Sequence, residues 1–212
     1  MRAAAKRLIL ARRMATSMLL DLRYGGLLRG VVETRFGDQG ATHTINTPYD
    51  VLAASFRPGE IRAGDVLVDV GCGKGRVINW WLRSGFRNRI IGIELDPEVA
   101  AKTRRRLRRH QNVSIICGDA IDELPADGSV YYLYNPFKAP VVRAFRDRLA
   151  EMSAGEVRIY YYHPRHIDLF ENDQRWTVSD RRLVNRASPA IDLAVIRLAS
   201  HAKGGQHEAE PG

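Results

Sequence analysis

The sequence predicts an α/β chain built on a doubly wound, seven-stranded, mostly parallel sheet, with a C-terminal antiparallel hairpin and a helical N-terminal extension. Three observations predict it. Short apolar runs recur along the chain from residue 66 onward, each the length of a strand buried on both faces. Stretches with helical spacing, about 10–15 residues long, separate most of these runs, which implies parallel strands joined by right-handed crossovers. The last two runs have no helical stretch between them, so they read as a hairpin that sets one strand antiparallel.

Taken in order, residues 1–35 are basic and mostly helical in composition. Leu8, Ile9, Met14, Met18, Leu19 and Leu22 are interleaved with Arg7, Arg12, Arg13 and Arg23, and Gly25, Gly26 and Gly30 interrupt the pattern. A polar stretch, 37–47, follows. Thr47 then reads as an N-cap and Pro48 as the first residue of a helix that runs over 49–56 and stops before Pro58-Gly59. Strands are expected over 66–70, 89–95, 113–117, 130–134, 157–162, 176–184 and 191–198. Helices are expected over 76–83, from Pro97 to about 109, and over 141–152, with a single turn at 167–170. This divides the chain into a basic helical extension packed on the core (1–58), an α/β domain (59–202) and a polar tail expected to be disordered (203–212).

A chain of 212 residues suffices for one domain with a core on both faces of a sheet. Its 45% hydrophobic and 27% charged residues are an ordinary soluble, globular balance. No apolar run approaches the roughly 20 residues needed to cross a bilayer. Met18-Leu19-Leu20 is cut short by Asp21 and Arg23, so the N-terminus is read as neither signal peptide nor membrane anchor. Cys72 and Cys117 form no CxxC pair and suggest neither disulfide scaffold nor zinc site. They are expected as small buried residues at strand ends in a reducing, cytoplasmic setting.

A net charge of +9 favours partners that are polyanions: RNA, DNA or an anionic membrane surface. Arg104, Arg105, Arg106, Arg108 and Arg109 are expected on the solvated face of a helix that packs outside the sheet. The N-terminal segment has the better claim to substrate contact, and a plain helix packed on the domain accounts for it equally well. The sequence does not indicate an oligomeric state.

The strongest chemical signal is Asp69-Val70-Gly71-Cys72-Gly73-Lys74-Gly75, a buried strand that ends in a glycine-rich turn opening a helix. Glycine lets the backbone turn sharply and lets a ligand lie against the main chain near the positive end of the helix. The spacing departs from the dinucleotide fingerprint because Arg76 stands where its third glycine would be, and no Gly-Lys-Ser/Thr closes a P-loop. Glu94 ends the second strand about 20 residues past the glycines, where a carboxylate accepts both ribose hydroxyls of a nucleoside. Asp119, after the third strand, is placed to accept the adenine amino group.

At these residues the chain resembles the class I S-adenosylmethionine-dependent methyltransferases, over about half its length, 65–162. The resemblance implies S-adenosylmethionine as cofactor, with Asp69, Gly71 and Gly73 along its methionine part and Cys72 and Gly75 beside them. It implies Glu94, with Leu95, at the ribose, and Asp119 with Ala120 at the adenine. Tyr134-Asn135-Pro136-Phe137 looks like a shortened form of the motif by which family members that act on amino or amide nitrogens hold the acceptor. It lacks the motif's second proline, with Lys138 following. Asn135, which also lies beside the cofactor, would form an acceptor wall with Pro136 and Phe137. The side-chain oxygen and a proline-fixed carbonyl would take the nitrogen's hydrogen bonds, and Phe137 would stack on a planar acceptor.

An RNA base, a protein side chain or a small molecule fits such a wall. The rival readings are a basic nucleic-acid-binding module with a vestigial cofactor site and an NAD-dependent oxidoreductase. Tyr49 is read as covering the cofactor or as core packing, and His163 as a possible substrate contact. His163 and His166 lack a third partner for a metal.

Overall fold

The computed structural model describes residues 2–23, 26, 28, 46–185 and 192–199. In chain order the elements are α1 (Arg2–Arg23), α2 (Tyr49–Ser55), β1 (Val66–Val70), α3 (Arg76–Arg83), β2 (Arg89–Glu94), α4 (Pro97–Leu107), β3 (Val113–Cys117), β4 (Val130–Tyr134), α5 (Ala139–Met152), β5 (Arg158–Tyr162), α6 (Asp168–Glu171), β6 (Trp176–Arg182) and β7 (Leu193–Leu198). The expected tail at 203–212 lies outside the described residues, as do most positions of 24–45.

The strands form one sheet in the order β3-β2-β1-β4-β5-β7-β6. β7 runs antiparallel to both its neighbours, and the other pairings are parallel. The predicted doubly wound sheet and its one reversed strand are therefore both present. β7 inserts between β5 and β6, so the last two strands pair as neighbours but the edge strand is β6.

Strand side chains alternate between faces, and each face has its own core. Val68, Val70, Tyr131, Leu133, Ile159 and Tyr161 pack on one side with Phe145, Leu149 and Phe170. Leu67, Ile90, Tyr132, Tyr160 and Tyr162 pack on the other with Leu52, Phe56, Ile78 and Trp81. Burying each such large side chain contributes about 1.5–3 kcal/mol. β3 lies at the edge of the sheet and is only partly covered. Cys117, at its end, is exposed, which corrects the expectation of two buried cysteines; Cys72 is buried.

The start of α2 also differs from expectation. The Pro48 carbonyl accepts the first helical bond, from Leu52 N–H at 3.0 Å, so Pro48 itself is the N-cap. The Thr47 hydroxyl is instead buried against the Tyr132 hydroxyl at 3.1 Å. α5 begins at Ala139, before the expected Val141, because Pro140 is tolerated in a first turn whose N–H groups have no helical partner.

Close packing behind the glycine turn leaves no room at Gly92 in β2. A Cβ there would stand 2.8 Å from Cys72 Sγ and 2.9 Å from both Ile115 Cδ1 and Ile78 Cδ1. Gly92→Ala is therefore expected to destabilise the fold by about 1–3 kcal/mol through overpacking, read as a lower midpoint in thermal melting. An unchanged midpoint would mean that these side chains yield freely.

Candidate cofactor and acceptor site

Strand order reverses between β1 and β4, the place where open α/β sheets leave a crevice at the carboxyl ends of their strands. The residues singled out from the sequence follow that edge strand by strand: Asp119 after β3, Glu94 at the end of β2, Asp69 and the glycine turn at β1, and Asn135-Pro136 after β4.

The turn itself needs glycine. Gly71, Gly73 and Gly75 have φ of +70°, +51° and +69°, in the left-handed region that penalises a Cβ. Gly75 is the N-cap of α3, and a Cβ on it would meet Thr103 Cγ2 and Arg106 Nη2 at 3.1 Å. Thr103 Oγ1 donates to the Gly73 carbonyl at 2.8 Å, and Arg106 Nη2 donates to the Lys74 carbonyl at 2.6 Å. α4 thus braces the turn from outside. This corrects the expectation for one of its arginines. Arg106 is half-buried, while Arg104, Arg105, Arg108 and Arg109 are exposed as expected, Arg104 also donating to the Ile115 carbonyl. The buried positions Ala100, Thr103 and Leu107 mark the inward face; that spacing was the available signal for the brace.

Three acids differ in their surroundings. Asp69 is buried, and among the described residues its Oδ2 has no hydrogen-bond partner. Burial, and then the nearby Glu94 carboxylate, push its carboxyl well above the ordinary value. Glu94 Oε2 accepts from Gly73 N–H at 2.7 Å and Oε1 from Asp96 N–H at 2.9 Å. Burial still holds it above its ordinary value, with those N–H groups pulling the other way. The Cys72 thiol between them is raised by burial and by both acids, so it sits as a neutral packing group. Asp119 Oδ1 accepts from Ile121 N–H at 2.7 Å, shaping the turn it begins, and Ala120 beside it is buried.

Two buried acids close together, one with an unpartnered oxygen, suit a ligand that carries positive charge beside hydroxyl groups. S-Adenosylmethionine has both, in its ammonium and sulfonium groups and its ribose, so the residues present fit it.

On the β4 side, Asn135 has φ of +38°, and the Tyr161 hydroxyl donates to its Oδ1 at 3.2 Å. Pro136 closes against the glycine turn: a Cβ on Gly71 would stand 3.3 Å from Pro136 Cβ. Phe137 does not complete the expected wall. It is buried, with its ring 6.1 Å from that of Phe145, in the core under the site. Tyr134 and Tyr162, whose rings are 4.6 Å apart, end β4 and β5 instead. His163 follows Tyr162 with φ of +54°, half-buried, its imidazole pushed below its ordinary value by burial and by Arg165. Strained non-glycine residues thus follow both β4 and β5, and such strain gathers at functional sites.

No local pattern in the sequence pointed to the polar cluster that ties α1 to α3 and β5. Asp21 is fully buried and accepts from Arg76 Nη2 at 2.6 Å, Arg76 Nε at 3.2 Å and the Tyr49 hydroxyl at 2.9 Å. Tyr49 is thus packed in the core. Arg13 donates to Asp50 at 2.7 Å and to Asn185 at 3.2 Å, and Asn185 donates to the Tyr162 hydroxyl at 2.9 Å.

Residues 67–154 match a family model described as a methyltransferase domain. The fold is shared with an RNA methyltransferase from Salinibacter ruber solved with S-adenosyl-L-homocysteine (TM-score 0.58, 20% identity, 76% of this chain and 98% of that one). It is also shared with the mitomycin 7-O-methyltransferase (TM-score 0.58, 17% identity, 71% and 53%). Among curated proteins, ribosomal RNA small subunit methyltransferase A of Synechocystis is 29% identical over 90 residues. That match takes in 41% of this chain and 31% of the relative, so it spans less than a third of the relative's length.

The fold is the doubly wound α/β fold of the methyltransferases it matches. The matched segment, 67–154, is less than half of the chain, and over it the chain resembles a methyltransferase domain. Among the described residues, no helix is long and apolar enough to cross a membrane.

Proposed function

We propose that this chain binds S-adenosylmethionine along the carboxyl ends of β3, β2 and β1 and transfers its methyl group to an amino or amide nitrogen held at Asn135 and Pro136. The observation that carries the reading is the unpartnered, buried Asp69 Oδ2 beside a left-handed glycine turn, in line with Glu94 and Asp119. S-Adenosylmethionine supplies a methyl group activated by a sulfonium sulfur. Asp69 compensates the positive charge of its methionine part, and Gly71, Cys72, Gly73 and Gly75 let that part lie against the backbone. Glu94, with Leu95, takes the ribose hydroxyls, and Asp119, with Ala120, the adenine. Asn135 Oδ1 and the backbone carbonyl beside Pro136 accept the hydrogens of the acceptor nitrogen and aim its lone pair. Tyr161, bonded to Asn135, fixes the amide's rotation. Proximity and alignment then account for most of what the protein contributes to the displacement.

RNA bases, protein side chains and small molecules all carry such nitrogens. The RNA-methylating relatives and the +9 net charge make RNA the first class to screen.

Thermal melting in parallel with S-adenosylmethionine, S-adenosylhomocysteine and NAD tests the cofactor. The adenosyl ligands alone are expected to raise the midpoint, by an amount that corresponds to about 2.7 kcal/mol at a hundredfold excess over Kd. No shift with them, or a shift with NAD, would defeat the reading. Asn135→Ala is expected to keep that ligand-induced shift and lose at least about a hundredfold in transfer, the scale on which misplaced reactants fail. Normal turnover by this variant would remove Asn135 from the acceptor site.

A further inference from the structure

The two faces of α1 are differently engaged. Its inner face carries Arg13, Ser17 and Asp21 into the domain, with Asp21 fully buried. Its outer face presents Leu8, Leu19 and Leu22, which are 72%, 70% and 55% exposed, while Ile9, Leu10 and Met14, elsewhere around the helix, are 48%, 40% and 47% exposed. At about 100° per residue, Leu8 and Leu19 point within about 20° of each other and Leu22 within about 60° of Leu19. Ala11 and Ala15, both exposed, fill the line between them. Arg12 and Arg23 border this stripe on one side and Arg7 on the other, all exposed. Over its length α1 has six basic residues, Arg2, Lys6, Arg7, Arg12, Arg13 and Arg23, against a single acid, Asp21, which is turned inward onto Arg76. An apolar stripe with cationic borders, on a helix not apolar enough to span a bilayer, has the character of a helix that lies in the plane of an anionic lipid surface.

We infer that α1 docks this chain on anionic membrane surfaces, with Leu8, Leu19 and Leu22 entering the acyl boundary and Arg7, Arg12 and Arg23 meeting lipid phosphates. Charge decides between the occupants of this face. A second copy would set one cationic border against another, and RNA has phosphates for the arginines but nothing for the leucines. Arginine suits the boundary because its stem lies along apolar surface while its head reaches the phosphates. The docked helix also reaches the site: its inner face pairs with Arg76, at the start of the helix after the glycine turn, and through Asn185 with Tyr162, at the end of β5. A bound surface would thus lie within about one helix diameter, ~10–12 Å, of those contacts.

The test is co-sedimentation of the full chain with vesicles of phosphatidylcholine alone and of phosphatidylcholine mixed with phosphatidylglycerol. Binding to the mixed vesicles is expected, with little to the neutral ones. The triple variant Leu8→Gln, Leu19→Gln, Leu22→Gln is expected to lose at least about tenfold in partition while melting at the wild-type temperature, since these side chains are largely exposed. Arg12→Gln with Arg23→Gln is expected to weaken binding and its salt dependence. Absence of binding to mixed vesicles overturns the inference. So does equal binding by the leucine variant, which would mean a purely electrostatic film. Dimerisation or RNA binding that depends on these leucines, without vesicle binding, overturns it in favour of that partner. Each outcome is independent of whether S-adenosylmethionine binds.

Discussion

Asparagine in place of Asp69 is expected to weaken S-adenosylmethionine binding by roughly ten- to a hundredfold, the worth of about 1.5–3 kcal/mol for a hydrogen bond to a charged group, and to leave the ligand-free protein no less stable at neutral pH. Both effects come from one feature: a buried carboxyl whose Oδ2 has no partner among the described residues and whose neighbour is another acid. In the folded chain it holds its proton to higher pH than in the unfolded chain. As pH rises above the ordinary aspartate range, the unfolded chain releases that proton first, and stability falls until the raised native value is passed. Asparagine has no such proton. The difference in melting temperature should therefore move in the variant's favour as pH rises. Cofactor affinity of the native protein should rise over the same interval, as the carboxylate forms, while that of the variant stays flat. Calorimetric titrations at several pH values, paired with melting curves, read both. Wild-type affinity in Asp69→Asn would mean that the carboxylate does not meet the cofactor's positive charge.

The second large effect is expected at Asp21. Asp21→Ala removes the counter-charge of Arg76, which is itself buried beside the Tyr49 ring, 5.4 Å from its guanidinium. Breaking a buried pair from one side typically costs about 3–5 kcal/mol, because the remaining charge is left without compensation. For a chain of this size that lowers the melting midpoint by roughly 2–4 °C per kcal/mol. Replacing both partners by apolar residues of similar volume, as in Asp21→Leu with Arg76→Met, should recover much of the loss. Because Arg76 begins α3 directly after the glycine turn, the single variant should also bind S-adenosylmethionine more weakly. A midpoint unchanged in Asp21→Ala would mean that α1 is not held on the domain through this pair.

The distance between sequence and structure is instructive at particular residues. The common position of Asp69, Glu94 and Asp119 was legible because each stands at or just past the carboxyl end of an apolar strand, and parallel topology carries every such strand end to one edge of the sheet. Asn135 and Pro136 were legible for the same reason. Phe137 was misread: an aromatic after a strand suits an acceptor wall and a core equally, and only the path of the chain into α5, which sets its ring beside Phe145, decided for the core. Arg106 was hidden in a run of arginines, since charge alone does not tell a bracing side chain from a solvated one.

By itself the sequence determined the strand count, the one reversed strand and which residues stand at the carboxyl edge of the sheet, because hydrophobic period and glycine spacing are local properties. Only the tertiary structure decided that Asp69 Oδ2 is left without a partner among the described residues, that Tyr161 bonds to Asn135, and that Asp21 locks a basic helix onto Arg76 while Leu8 and Leu19 face outward. Those are relations between residues far apart in the chain, set by packing, and no local pattern encodes them.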